Sequence, residues 1–199
     1  YKRIGTTLDD ALGEAFDKTA RLLNLGYPGG PQIEKCANNG NPDKYQFPMP
    51  LIHEKNCNFS FSGLKSSVAQ LVLNKKITEK FKCDVSASFQ RTIAEILIKK
   101  TKKAVDIFSD MNKKQNTVNI VVAGGVAANK YLRGSLKSIE KKSNIQFFFP
   151  SLQLCTDNGA MIAYAGIERY EKNLFNKLNF KPRPRWPLDK KAIFMKGKR

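Results

Sequence analysis

One stretch, Thr117 to Gly134, constrains the fold more than any other. Val118 and Ile120 to Ala123 make a short apolar, mostly β-branched run, as suits a strand buried on both faces of a parallel sheet. Gly124-Gly125 follows at once, and Leu132, Leu136 and Ile139 then repeat at i, i+4, i+7, the spacing of a helix face. Strand, glycine turn and helix in that order predict an open α/β sheet, whose ligands bind outside the carboxyl ends of its strands. Two residues without Cβ let a ligand approach the backbone closely, and a helix start offers N–H groups to an anion. The same two glycines also suit a tight turn that holds nothing, and this stretch alone does not choose between the two.

The rest of the chain supports a mixed α/β fold. Thr7 is placed to cap a first helix, with Asp9 and Asp10 in its first turn and Leu12, Phe16, Thr19 and Leu23 as its buried stripe. Asp10, Glu14, Asp17 and Arg21 form another row of that helix, which by spacing alone reads as a solvated face. Tyr27-Pro28-Gly29-Gly30-Pro31 is a turn, and Pro31 suits the first position of a short helix from Gln32 to Ala37. Asn38 to Asn58 is rich in loop residues and holds the one histidine, His53.

Asn58 to Ser62 alternates as a half-buried strand does, and Gly63 opens a helix carrying Val68, Leu71 and Val72. Asp84 is a candidate cap for a long helix with the stripe Val85, Phe89, Ile93 and Leu97 and a basic stretch of Lys99, Lys100, Lys102 and Lys103. Asp110 to Asn116 reads as a polar linker. Ile145 to Phe149 is a second strand, stopped by Pro150. Asp157 opens a helix reaching Gly166 that is apolar nearly all round, so burial is expected, with Gly159, Ala163 and Gly166 allowing close approach to the sheet.

Composition narrows the function classes. The 199 residues have 41% hydrophobic content, enough for a sizeable core. Lysine and arginine number 35 against 17 acidic residues, a formal charge of +18. Such an excess suits an anionic partner, nucleic acid first, although Lys-rich usage across a proteome produces the same balance. Cys36, Cys57, Cys83 and Cys155 form no C-x-x-C pair, so neither a zinc site nor a disulfide framework is expected, and a cytoplasmic location is the default. No apolar run is long enough for a membrane span, and no signal peptide is visible. The chain begins at Tyr1 rather than Met, which suggests a fragment or a processed product.

Five ordered motifs carry a resemblance. They are Gly13 to Lys18 (GEAFDK), Tyr27 to Pro31 (YPGGP), Phe59 to Lys65 (FSFSGLK), Gly124 to Asn129 (GGVAAN) and Cys155 to Ala163 (CTDNGAMIA). In this order they resemble the TsaD family, the tRNA threonylcarbamoyladenosine transferases once called glycoproteases. Pro182 to Leu188 resembles the carboxyl end of the bacterial members.

The resemblance implies an α/β lobe of the actin, sugar-kinase and heat-shock-chaperone ATPase (ASKHA) superfamily over residues 1–175, with inserted helices. A basic, Pro-containing tail would follow over 176–199. It implies transfer of threonylcarbamoyl from threonylcarbamoyl-AMP to N6 of the adenosine beside the anticodon of tRNA, within a complex of several subunits. By motif position, Asp17, Gly30, Glu34 and Asn129 are implied to contact the nucleotide, Asp17 despite its place in a row that spacing reads as solvated, and the adenylate phosphate is expected near Gly124 and Gly125 at the helix start. Asp157 is implied to ligate one divalent metal ion, expected to be iron.

The family's other ligands belong to a His-x-x-x-His motif that this chain does not contain. The chain is therefore expected to be the carboxyl-terminal part of such a protein, inactive alone, with half of a site formed between two lobes. The alternative is a non-catalytic nucleotide- or tRNA-binding subunit of the same complex. The protease of the old name ranks last, because no H-E-x-x-H is present.

Overall fold

A computed structural model describes residues 1–112, 117–140, 144–183 and 186–192. The chain runs α1 (Leu12–Leu22), α2 (Gly29–Ala37), α3 (Ser62–Leu73), α4 (Glu79–Met111), β1 (Val118–Val121), α5 (Lys130–Lys137), β2 (Ile145–Phe148) and α6 (Gly159–Glu171). β1 and β2 form a two-stranded parallel sheet with Val118 opposite Ile145 and Val121 opposite Phe148. The right-hand half of the linker expected before β1, from residue 113 to 116, lies outside the described residues.

The helix α4 organises the packing. At 33 residues it is about 50 Å long, enough to serve two apolar clusters. Its first half packs on α2, and its Phe89 and Ile93 share one apolar cluster with Phe16 of α1, Ile33 of α2 and Leu64 of α3. Phe16 and Phe47 both set ring edges against Phe89, at centroid distances of 5.2 and 6.4 Å, a preferred aromatic geometry. The second cluster joins Leu136 and Ile139 to Ile145 and Phe147 of β2, with Leu97, Ile98 and Val105 of α4 against it. The helix α5 links the two, through Leu132 in the first and Leu136 in the second.

Several boundaries differ from the sequence expectation. Thr78 caps α4, its Oγ1 accepting from Phe81 N at 3.1 Å. Asp84 lies inside the helix, buried, accepting from Asn41 N at 2.7 Å and pairing with Lys80. It serves the loop after α2 instead of a helix end. Thr7 does not cap α1: it makes a single parallel bridge with Phe59, and α1 begins after Ala11. The strand expected at Asn58 to Ser62 shrinks to that bridge, because Asp9 takes the next backbone groups. Its carboxylate accepts from Phe61 N (2.8 Å), Ser62 N (3.3 Å) and both serine hydroxyls, Ser60 and Ser62. α2 starts at Gly29, so Pro31 is its third residue rather than its first.

Two expectations of burial fail. Only one face of β1 is covered: Val118 is buried, whereas Val121 is 74% exposed. α6 runs on to Glu171 and buries none of its residues, and the space beside Gly159 and Gly166 is open. A sheet of two strands is too narrow to provide α6 with a packing layer. Its all-round apolar pattern shows that it suits a buried place, not what occupies the place around it.

The acid side of the stability profile follows from Asp9 and Asp84. Burial alone would raise both, but for Asp9 the Ser60, Phe61 and Ser62 hydrogen bonds, and for Asp84 the Asn41 N–H and Lys80, hold the carboxyls below their ordinary range. The unfolded chain then binds more protons than the folded one, so stability rises with pH in that interval. The contribution is complete above about pH 4, the unfolded value, and is lost as pH falls through the folded ones. Urea midpoints should drop below about pH 4, and Asp9→Asn should flatten the drop. An unchanged profile in that variant would refute the role given to Asp9.

Candidate functional site

Helical spacing builds one wall from two helices. Gly13 and Asp17 are one turn apart on α1, and Gly30 and Glu34 one turn apart on α2, so each pair shares a face. The opposite wall is the glycine turn after β1. It forms a 3₁₀ turn over Gly125–Ala128, which stands between the strand and α5. Gly124 has φ +92°, a conformation that side chains with a Cβ rarely adopt. Between the walls is a cavity of about 430 Å³, whose lining includes Asp17, Gly30, Glu34, Gly125, Asn129 and Thr156.

The structure thus brings five expected residues to one cavity. Gly124 adjoins it through Gly125 without lining it, and Asp157 follows the lining residue Thr156. Asp157 itself is exposed, and Asn158, not Asp157, caps α6, its side chain accepting from Met161 N.

The hydrogen bonds give three of these side chains architectural work. Asp17 Oδ1 accepts from Gly29 N at 2.7 Å and so satisfies the first N–H of α2. Glu34 Oε1 accepts from Lys130 N at 2.7 Å, the first residue of α5. Asn129 is 7% exposed and caps α5, its Oδ1 accepting from Leu132 N at 2.9 Å. Its Nδ2 donates to Gln90 Oε1 at 2.7 Å. The start of α5, expected to be free for an anion, therefore already holds a carboxylate and a side-chain amide. An anion near the glycines would meet the 3₁₀ turn or displace Glu34.

Two residues at the site were not found from the sequence. Gln90 sits in the middle of α4 and reads as one more polar helix position; its partner is distant in the chain. Arg133 donates to Ala127 O, to Pro150 O (2.7 Å) and to Cys155 Sγ (3.0 Å), and its guanidinium lies 5.0 Å from the Phe149 ring. It ties the glycine turn to the loop that carries Thr156 and Asp157. Only its one-turn offset from Asn129 hints at this, and an arginine on a helix seldom signals three neutral partners.

The described residues do not by themselves make up a metal site. Among the described residues no group of three or more His, Cys, Asp or Glu side chains could share an ion. One exposed carboxylate, Asp157, falls short of the roughly three or four protein ligands that a zinc-type site takes.

The basic stretch of α4 divides. Lys100 is 2% exposed, with Nζ donating to Leu51 O (2.6 Å) and Asn56 O (3.0 Å). Lys103 donates to Glu54 O. Both pin the loop before α3, so only Lys99 and Lys102 project as exposed charges. In the tail, Arg183 lies over the Trp186 ring at 4.9 Å, while Arg185 is outside the described residues. Among the described residues no helix is long and apolar enough to cross a membrane.

The family profile described as "TsaD: tRNA N6-adenosine threonylcarbamoyltransferase" matches residues 1–164. A protein of that name from Rickettsia rickettsii (strain Sheila Smith) is 53% identical over 190 residues, 95% of this chain and 55% of the relative. One from Pelagibacter ubique (strain HTCC1062) is 52% identical over 201 residues, 99% of this chain and 55% of the relative. The chain spans about half the length of the curated relatives it matches. With residues 1–164 matching that profile, and with its GEAFDK, YPGGP and GGVAAN segments walling one cavity, this chain belongs to the TsaD family.

Proposed function

We propose that this chain supplies the nucleotide-holding part of a tRNA N6-adenosine threonylcarbamoyltransferase and folds as a lobe of the ASKHA type. The supporting observation is the convergence of Asp17, Gly30, Glu34, Gly125 and Asn129 on one cavity. In the reaction, N6 of the tRNA adenosine attacks the carbamoyl carbon of threonylcarbamoyl-AMP, and AMP leaves. On this reading the cavity holds the adenylate, and an Asp17 oxygen accepts from its ribose hydroxyls or exocyclic amine.

Asp157 would be a single ligand to a divalent metal, iron by family resemblance, with the remaining ligands outside the described residues. We assign it no step. Lys99, Lys102 and Arg183 are exposed cations available to tRNA phosphates, other subunits of the complex would complete the assembly, and the compartment would be the cytoplasm. The uncovered apolar surface of α6 is where a further lobe would rest.

The alternative, a non-catalytic nucleotide- or tRNA-binding partner subunit, is favoured by the lack of a metal-ligand set among the described residues. Threonylcarbamoyl transfer to tRNA by the whole protein separates the two readings. We expect turnover by the wild type, and loss of turnover and metal content in Asp157→Ala. Because Asp157 is exposed and caps no helix, its stability should change by no more than about 0.5 kcal/mol. No transfer by the wild type would overturn the enzymatic reading, and normal rate and metal content in the variant would overturn the ligand assignment.

A further inference from the structure

Cys36 and Cys83 lie 47 positions apart in sequence, on α2 and in the first turns of α4, yet their Sγ atoms are 3.1 Å apart. All four cysteines are free thiols. Cys57 and Cys155 are buried, whereas Cys36 and Cys83 are half-buried and within reach of a small oxidant. The two helices are held close here by Gly40, where a Cβ would collide with the backbone of Cys83 and come within 2.8 Å of Ala87 Cβ. A disulfide needs about 2.05 Å between sulfurs, so closure asks for roughly 1 Å of movement.

Ser86 is fully buried, and its Oγ has no hydrogen-bond partner among the described residues. It is close enough to Cys36 to stabilise a thiolate there. An unsatisfied buried hydroxyl is uncommon and calls for an explanation; a group that donates to a sulfur anion when one forms supplies it.

We propose that Cys36 and Cys83 form a reversible dithiol modification site that cross-links α2 to α4 under peroxide. One thiolate attacks a peroxide oxygen, the O–O bond breaks, and the leaving hydroxide takes a proton to become water. The second thiolate then attacks the resulting sulfenic sulfur, forms the S–S bond and expels a second hydroxide, which likewise becomes water. Two thiols are oxidised by two electrons in total, and one peroxide is reduced to two waters. α2 carries Gly30 and Glu34 into the cavity, so the cross-link anchors one of its walls. Burial, followed by the contact with Cys83, pushes the Cys36 thiol up to about 11. The resting pair is accordingly a protonated thiol pair and not an exposed reactive thiolate, so its oxidation by peroxide is slow and needs sustained oxidant.

The test treats the reduced chain with hydrogen peroxide, blocks residual thiols with iodoacetamide and maps its peptides. The expected product is a Cys36–Cys83 peptide lighter by two hydrogens, with Cys57 and Cys155 alkylated only after unfolding, and recovery of the starting map with dithiothreitol. The oxidised wild type should also unfold at a higher temperature than the reduced one, a shift absent in Cys36→Ser. Peptide mapping needs only wild-type protein, so a variant that fails to fold does not blunt the test. Cys36 and Cys83 both still alkylatable after peroxide, or recovered as separate sulfinic acids, would overturn the proposal.

Discussion

Replacing Gly29 by alanine is expected to destabilise the protein by about 3 kcal/mol, at the upper end of what overpacking costs. The added Cβ would lie 2.5 Å from Asp17 Cα and 2.8 Å from the Phe16 carbonyl oxygen. Both are backbone atoms, so no side-chain rotation relieves the clash, and α1 and α2 must separate. Separation strains the bond from Gly29 N to Asp17 and loosens the packing of Phe16, Ala20 and Ile33. Gly30→Ala is the internal control. Nothing lies within 4 Å of its added Cβ, and the backbone there is helical, so a gain of up to about 1 kcal/mol is expected. Urea unfolding of both variants checks this. Gly29→Ala with wild-type stability would mean that the two helices are not held at the distance described.

This contrast shows what the sequence could and could not disclose. Both glycines belong to one motif, and nothing local tells which is required for packing and which faces the cavity. Helices were legible wherever an apolar face recurred: Val85, Phe89 and Ile93 announce α4, and Leu132 and Leu136 announce α5. Their ends were less legible, because capping groups come from afar. Asp84 looked like a cap and instead holds Asn41 N; Asp9 looked like a first-turn acid and instead holds the entry to α3. α6 failed for a different reason. Apolar periodicity reports that a surface suits burial, and the neighbour that would bury it is a tertiary fact.

The site was legible only in part for the same reason. Spacing placed Asp17 on a solvated row, since periodicity sees charge and not the turn of α2 folding back over it. The motif resemblance singled it out, and the structure then set it beside Gly30 and Glu34. For Asn129, the resemblance implies a ligand contact, while the structure shows a cap whose amide already binds Gln90. Gln90 and Arg133 act through partners far along the chain, which no local pattern encodes.

Asp17→Asn is expected to separate the two tasks of that carboxylate and to lower affinity for AMP by about 10- to 100-fold. One oxygen accepts from Gly29 N at 2.7 Å, and the residue also lines the cavity. Asparagine keeps an acceptor oxygen for Gly29 but no charge. The stability lost is then the carboxylate's interaction with the start of α2, about 0.3–1 kcal/mol. Toward the cavity the proposed reading requires a larger change, because the second oxygen becomes an amide donor where the nucleotide would present hydroxyl or amine donors. Hydrogen bonds to a charged group contribute about 1.5–3 kcal/mol each, so losing one accounts for the expected fold-change. Asp17→Ala removes the acceptor as well and leaves Gly29 N unsatisfied, so it should lose both affinity and stability. Calorimetric titration of AMP into the three proteins, with urea midpoints measured alongside, decides the matter. If Asp17→Asn binds AMP as the wild type does, the carboxylate serves only to hold α2 on α1, and the nucleotide, if bound, rests on the glycine turn.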